Sequence, residues 1–344
     1  MHATLPANWR VPVLPSIRPW LLPASIVLWS LVAVPFAVYM AVASGRTWVL
    51  LAIAGAPAAA LLRHRPYLAG AALIVAATIL RLSWIGLSSS DPIDVSQLAA
   101  GRAFAGQDPY DGFVYNAVGA VYPYGPLGLV SNLGGIPLEL IATIATSAVL
   151  VWARAWMTLA LFNAWPQFIY MPAIGNNDFS VGFVLVLALV VLRYRPRLGM
   201  VLLAAAIAIK PYASAWAIPA AGYAGLVPAL IGGAASLLFW SPVLMLWGVP
   251  SYVRSVIASD QLRPMEGSLY PSWAFGDVWI LRMLVVPFSL AGLWLRSWTA
   301  MALLGTAGFV AFLGFSGWAH AGYVAAVLPV IGLTLEWRPR DSIS

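Results

Sequence analysis

The chain has no cysteine, a single lysine, three histidines and few charges of either sign. The lack of cysteine excludes disulfides and thiol chemistry within it and leaves the compartment open. Only 8% of its residues are charged, against about 25% in soluble domains, so there are too few polar side chains to clothe a water-facing surface. What is there instead is apolar: 62% of residues are hydrophobic and the mean hydropathy is +0.88. This composition reads as an all-α, multi-pass integral protein of the cell membrane. No polar stretch exceeds about forty residues, so residues 1–344 read as one polytopic domain. The net charge of +7 lies in single arginines and short clusters between apolar runs. That is the pattern of orientation signals and excludes a nucleic-acid partner. No short apolar run precedes a small-residue cleavage site near the N-terminus, so the first apolar run reads as a retained span.

Twelve apolar segments follow one another, at about 21–43, 48–62, 67–87, 127–152, 155–174, 179–192, 198–209, 212–226, 228–247, 278–295, 298–315 and 321–335. The fourth is interrupted by SNLGG at 131–135. Counted this way, the 63–65 turn, Arg154, the 193–197 turn, Arg296, Arg338, Arg340, Arg10 and Arg18 fall on one side, the cytoplasmic one by the positive-inside rule; Arg46 dissents. The polar loops at 88–126 and 248–276, GNND at 175–178 and GWAH at 317–320 fall on the other. The segments between 179 and 226 have only about twelve to fifteen residues, while a full crossing needs about twenty. Short helices of this kind imply a cavity that opens to the outside between them.

The 88–126 loop holds four of the eleven acidic residues: Asp91, Asp94, Asp108 and Asp111. A carboxylate at a cavity mouth can take a proton from a hydroxyl. Asp91, followed by Pro92, equally fits a helix N-cap, so Asp94 is the better candidate base. Asp108 in GQDPY reads as a turn residue. Asn176, Asn177 and Asp178 open the sixth segment, and Asp178 fits either a helix cap or a sugar contact. Lys210, followed by Pro211, is a cation at membrane depth, which points to function, although snorkelling to the interface remains open. An ammonium there needs an anion, and a phosphate is a natural one. Arg254 and Arg263 in the second loop, and His320 at the start of the last segment, suit the same anion or an ordinary solvated role. Tyr122 and Tyr124 offer ring faces to a sugar. No nucleotide-binding loop and no clustered metal ligands appear, so neither a cofactor nor a divalent metal is expected.

IDVSQLAAGRAFAGQDPYD followed by VYPYGPL resembles the first large external loop of the GT-C superfamily of polyprenyl-phosphate-dependent glycosyltransferases. It is most similar to the bacterial mannosyltransferases of glycosyltransferase family 87. GNNDFSVGFVLVLALVVLRYRPRLGMVLLAAAIAIKPYASAWAIP resembles their next block, with GNND where the family usually has Gly-Gln-x-Asn. HAGYVAAVLPVIGLTL resembles their closing helix. The resemblance spans about residues 85–335. It implies a bundle of about twelve transmembrane helices, with juxtamembrane helices in the first external loop. It also implies an inverting transfer of a sugar, mannose by the resemblance, from a polyprenyl-phosphate donor to a hydroxyl of a glycolipid or glycan acceptor outside the cytoplasm. Lys210 and an arginine would then stabilise the departing phosphate. A transporter or flippase of a lipid-linked or small anionic substrate is the alternative, although no internal repeat of the kind transporters carry is evident.

The absence of cysteine permits a clean test of sidedness. Single cysteines at positions 89, 177 and 319 should react with an impermeant thiol reagent from outside, and ones at 64 and 195 should not. Labelling of 177 and 195 from the same side would break the twelve-span arrangement.

Overall fold

The structure is a computed structural model that describes residues 20–87, 91–115, 121–262, 279–314 and 321–337. Among these residues every regular element is helical. The helices are α1 (Leu21–Ser44), α2 (Gly55–Leu61), α3 (Pro66–Leu82), α4 (Asp91–Phe104), α5 (Pro126–Ser131), α6 (Gly135–Ala153), α7 (Trp156–Ala164), α8 (Pro166–Ala173) and α9 (Asp178–Tyr194). They continue as α10 (Pro196–Ile209), α11 (Ala217–Ala224), α12 (Leu226–Leu246), α13 (Val249–Leu262), α14 (Val285–Ala291), α15 (Trp298–Gly314) and α16 (Ala321–Glu336). Single 3₁₀ turns or runs fill Thr47–Ala54, Asn132–Gly134, Pro211–Trp216 and Trp279–Leu284.

The apolar segments read from the sequence all coincide with helices, but often with broken ones. Among the described residues three helices are long and apolar enough to cross a membrane: α1, α6 and α12. The pair α8–α9 passes the same test jointly and is bent by 109° at its break. The other apolar helices are shorter. Membrane association follows from this; twelve crossings do not. The reason is visible in the chain. SNLGG at 131–135 separates α5 from α6, and Pro166 separates α7 from α8. Lys210-Pro211 ends α10 because the residue before a proline is driven out of the helical region; Lys210 indeed has φ −135° and ψ 119°.

Helix breaks free backbone groups that must find partners, and here side chains from other helices supply them. Pro166 and Pro172 have no N–H, so the carbonyls four residues earlier, Phe162 and Phe168, lose their helical donors. The fully buried Arg81 of α3 donates to both, Nη2 to Phe162 O at 3.1 Å and Nε to Phe168 O at 3.3 Å, and Nη1 to Asn163 Oδ1 at 3.0 Å. Glu336, the last residue of α16, accepts from Met157 N at 3.0 Å and Thr158 N at 2.9 Å, capping the first turn of α7 from outside it. Arg46, the dissenter in the charge pattern, donates from Nη1 to Ser83 O at 2.5 Å and Ile85 O at 3.2 Å, just past the end of α3. Its place is explained by that carbonyl end rather than by sidedness.

α9 and α10 form a close antiparallel hairpin, and α10 packs in turn on α12. α4 lies against the break between α8 and α9, where Gly175 holds φ +88° and a side chain would collide with Ile93. The loop that the sequence marks as central is therefore seated on the break. Asn177 at that break is only 3% exposed, so an unreacted thiol at 177 reports burial, and only positive labelling there reports sidedness.

Arg81→Leu should lower the melting temperature of the purified protein, since two buried carbonyls lose their donor at about 1–3 kcal/mol each. Adding Pro172→Ala should recover part of the loss, because alanine returns the N–H that Phe168 O lacks. Equal melting of Arg81→Leu and the parent would contradict this role.

Candidate functional site

The motif YPYGP (122–126) leads to the site. Gly125 donates its N–H to Ile209 O at 3.1 Å, satisfying a carbonyl at the end of α10. A Cβ at Gly125 would collide with the Ala208 carbonyl oxygen. Only glycine lets the backbone come this close. The contact sets the preceding Tyr124 beside the residue that leaves α10, with Lys210 Nζ 4.7 Å from the Tyr124 ring centre.

Lys210 is 3% exposed and Asp178 fully buried. Nζ lies 2.6 Å from Asp178 Oδ1, and the Tyr212 hydroxyl donates to the same oxygen at 3.0 Å. Nζ also sits 5.7 Å from the Tyr212 ring and 5.8 Å from that of Tyr323. The anion that a buried ammonium demands is thus supplied by the chain itself. Asp178 is the first residue of α9, but its carboxylate turns to the lysine; Asn176 Oδ1 instead accepts from Asp178 N at 3.1 Å. Glu139 of α6 accepts from Ser180 N at 2.9 Å, in the first turn of α9. A carboxylate there is favoured by the helix dipole. Asn177 Nδ2 reaches Ser96 Oγ of α4 at 3.5 Å.

Beside Lys210 opens a cavity of about 300 Å³. Its lining includes the polar side chains Tyr124, Lys210, Tyr212, Tyr252, Tyr323 and Arg282 and the apolar ones Val256, Ile257, Phe312 and Leu313. Val256, Ile257 and Phe312 are also 38%, 50% and 44% exposed. These three side chains therefore also belong to the apolar surface of the bundle. A cavity lined by cations and tyrosines together with apolar side chains that reach the surface suits an amphiphile. Among the described residues no group of three or more histidine or acidic side chains gathers to hold a metal ion.

No family model, no curated protein and no solved structure matches the chain.

The site residues expected from sequence are partly brought together. Asn176, Asn177, Asp178, Lys210 and Tyr124 meet at the ends of α8, α9 and α10. Tyr122 does not face the cavity: it is fully buried, 5.5 Å from the Tyr110 ring and 5.3 Å from that of Tyr124, and its carbonyl accepts from Ser255 Oγ at 2.6 Å. It pins the loop to α13. Asp108 is the turn residue expected, accepting from Tyr110 N at 2.8 Å and from the Ser251 hydroxyl of α13. Burial holds the Tyr110 hydroxyl well above its ordinary range and pushes Tyr115 up to about 12, against the pull of Arg102. These loop tyrosines are neutral packing groups. Asp91 begins α4, and Asp94 lies on its exposed side, outside the cavity lining. Arg254 is exposed on α13 and does not line the cavity. Arg263 and His320 lie outside the described residues. Sequence reasoning passed over Glu139 and Arg282; a lone acid inside an apolar span was the available signal for the first.

Removing one member of a buried ion pair leaves the other unpaired and costs about 3–5 kcal/mol, whereas replacing both by apolar groups is often nearly neutral. Lys210→Met alone should therefore lower the melting temperature sharply, and Lys210→Met with Asp178→Leu should restore most of it. Additive losses in the double variant would show that the pair is not coupled.

Proposed function

We propose that the chain is an inverting glycosyltransferase, transferring a sugar (mannose by the resemblance) from a polyprenyl-phosphate donor to an acceptor hydroxyl on the extracytoplasmic side of the membrane. The observation that carries this reading is the cavity beside Lys210. Its cations and tyrosines suit a phosphate and a sugar, and its exposed apolar side chains suit a lipid tail. The order of motifs resembling family 87 supports the same reading, and so does the meeting of two of them, YPYGP and the lysine-proline, at one place. In a single displacement the acceptor oxygen attacks the anomeric carbon and the bond from that carbon to the phosphate oxygen breaks. The phosphate leaves with the electron pair, and the acceptor's proton passes to a carboxylate; Asp94, the candidate from sequence, lies outside the cavity lining and can take it only from an acceptor that approaches over α4. Charge building on the phosphate is met by cations on the cavity wall.

A transporter or flippase is the second reading, favoured by the 109° break between α8 and α9 with polar residues at the bend. Broken helices of this kind mark substrate sites in transporters. New glycosidic bonds formed by purified protein from a polyprenyl-phosphate sugar separate the two, since a transporter makes none.

A general base contributes about 10²- to 10⁴-fold. Asp94→Asn should lose turnover of that order with donor affinity little changed. Asp91→Asn should keep most activity, because asparagine caps a helix about as well as aspartate. The reverse pattern would make Asp91 the base, and full activity in both would remove a first-loop aspartate from the mechanism.

A further inference from the structure

The end of the bundle away from Lys210 gathers arginines and aromatic rings. α9 runs seventeen residues from Asp178 to Tyr194, about 25 Å at 1.5 Å per residue. Near its far end Arg193 lies over the rings of Trp298 at 5.5 Å and Trp337 at 5.3 Å. Trp337 meets Trp152 at 5.5 Å, and Arg154 Nε donates to the Tyr67 hydroxyl at 3.2 Å. These contacts bring ends of α3, α6, α9, α15 and α16 to one level. Tryptophan and tyrosine collect at the level of lipid headgroups, and arginines on the cytoplasmic side.

The turn Arg63–His64–Arg65, between α2 and α3, belongs to this end, next to Tyr67. Its three side chains are exposed. Among the described residues nothing gives any of them a side-chain hydrogen bond, an ion pair or a ring contact. The first turn of α3 carries no acid. Glu336, the carboxylate at this end among the described residues, is taken up by the amides of Met157 and Thr158. The two arginines of the turn thus keep their charge for an outside partner, unlike Lys210, which Asp178 meets at 2.6 Å.

The turn also borders a cavity. Arg63 and His64 line a space of about 400 Å³ together with Pro57, Ala60 and Leu61, and Leu61 is 84% exposed. A guanidinium offers a planar fork of N–H donors that matches a phosphate, and an imidazole adds a further donor. Cationic donors and an exposed leucine around one space at headgroup level call for a phosphate that carries acyl chains. The leaflet that faces the cytoplasm is the one rich in such anions. We propose that the cavity at Arg63 and His64 binds the headgroup phosphate of an anionic phospholipid, with Arg65 adding to the charge and Leu61 meeting an acyl chain. This site is separate from the Lys210 cavity and does not depend on what that cavity takes.

The test is native mass spectrometry of the full-length protein, titrated in detergent with dimyristoyl phosphatidylglycerol or dimyristoyl phosphatidylcholine, which share their chains and differ in net charge. The parent should hold phosphatidylglycerol about twentyfold more tightly, at about fivefold for each of the two arginines. Arg63→Gln with Arg65→Gln should erase that preference and leave phosphatidylcholine binding within about twofold of the parent. Arg195→Gln with Arg197→Gln removes as much charge from the same end and should keep the preference within about twofold. All four side chains are exposed, so neither variant strands a buried charge. Equal losses in the two double variants would show diffuse surface charge in place of a site and overturn the proposal, as would a parent with no preference. Displacement of bound phosphatidylglycerol by millimolar inorganic phosphate would give the site to a free anion and overturn the phospholipid assignment.

Discussion

Breaks in these helices leave backbone groups without helical partners, and the structure depends on how the buried ones are satisfied. An unpaired polar group in an apolar surround costs several kcal/mol. A chain with 8% charged residues has few side chains to offer, and it spends them at helix ends. Arg81 serves the two carbonyls orphaned by Pro166 and Pro172. Glu336 serves the amides of α7, Glu139 an amide of α9, and Arg46 the carbonyls past α3. In each case the sign follows the helix dipole: carboxylates meet amino ends and guanidinium groups meet carbonyls. Because each partner comes from a different element, satisfying the backbone also fixes how the helices stand against one another.

The candidate site follows from the same constraint. α8, α9 and α10 stop short of full length, and their ends converge on Asp178 and Lys210, a buried pair that closes its own electrostatics. The first loop is tied over these ends by Gly125 at the Ile209 carbonyl and by Ser96 at Asn177. Its tyrosines pack where α12 leads into α13: Tyr110 meets Trp247, just past α12, at 6.1 Å and Tyr252 of α13 at 5.3 Å. The space left beside Lys210 is thus bounded by elements from widely separated stretches of chain. It is lined by the polar groups gathered at Lys210 and by apolar side chains of α13 and α15. That mixture is the ground for proposing an amphiphilic donor.

Composition and apolar runs determined by themselves that the chain is helical and membrane-associated. So did the local punctuation: the proline after Lys210, the SNLGG interruption and the Asp108 turn all act through backbone sterics and short-range hydrogen bonds, which a sequence displays directly. The pairing of charges was decided only by the tertiary structure. Lys210 read alone called for an external anion, but Asp178, thirty-two residues away, fills that need; Tyr122 read as a sugar platform, but three-dimensional packing made it a buried pin. Arg81 and Glu139 are single letters in apolar runs, and no spacing rule tells which distant proline or helix end each will serve. Those choices are set by how broken helices pack, and packing joins residues that the order of the chain keeps apart.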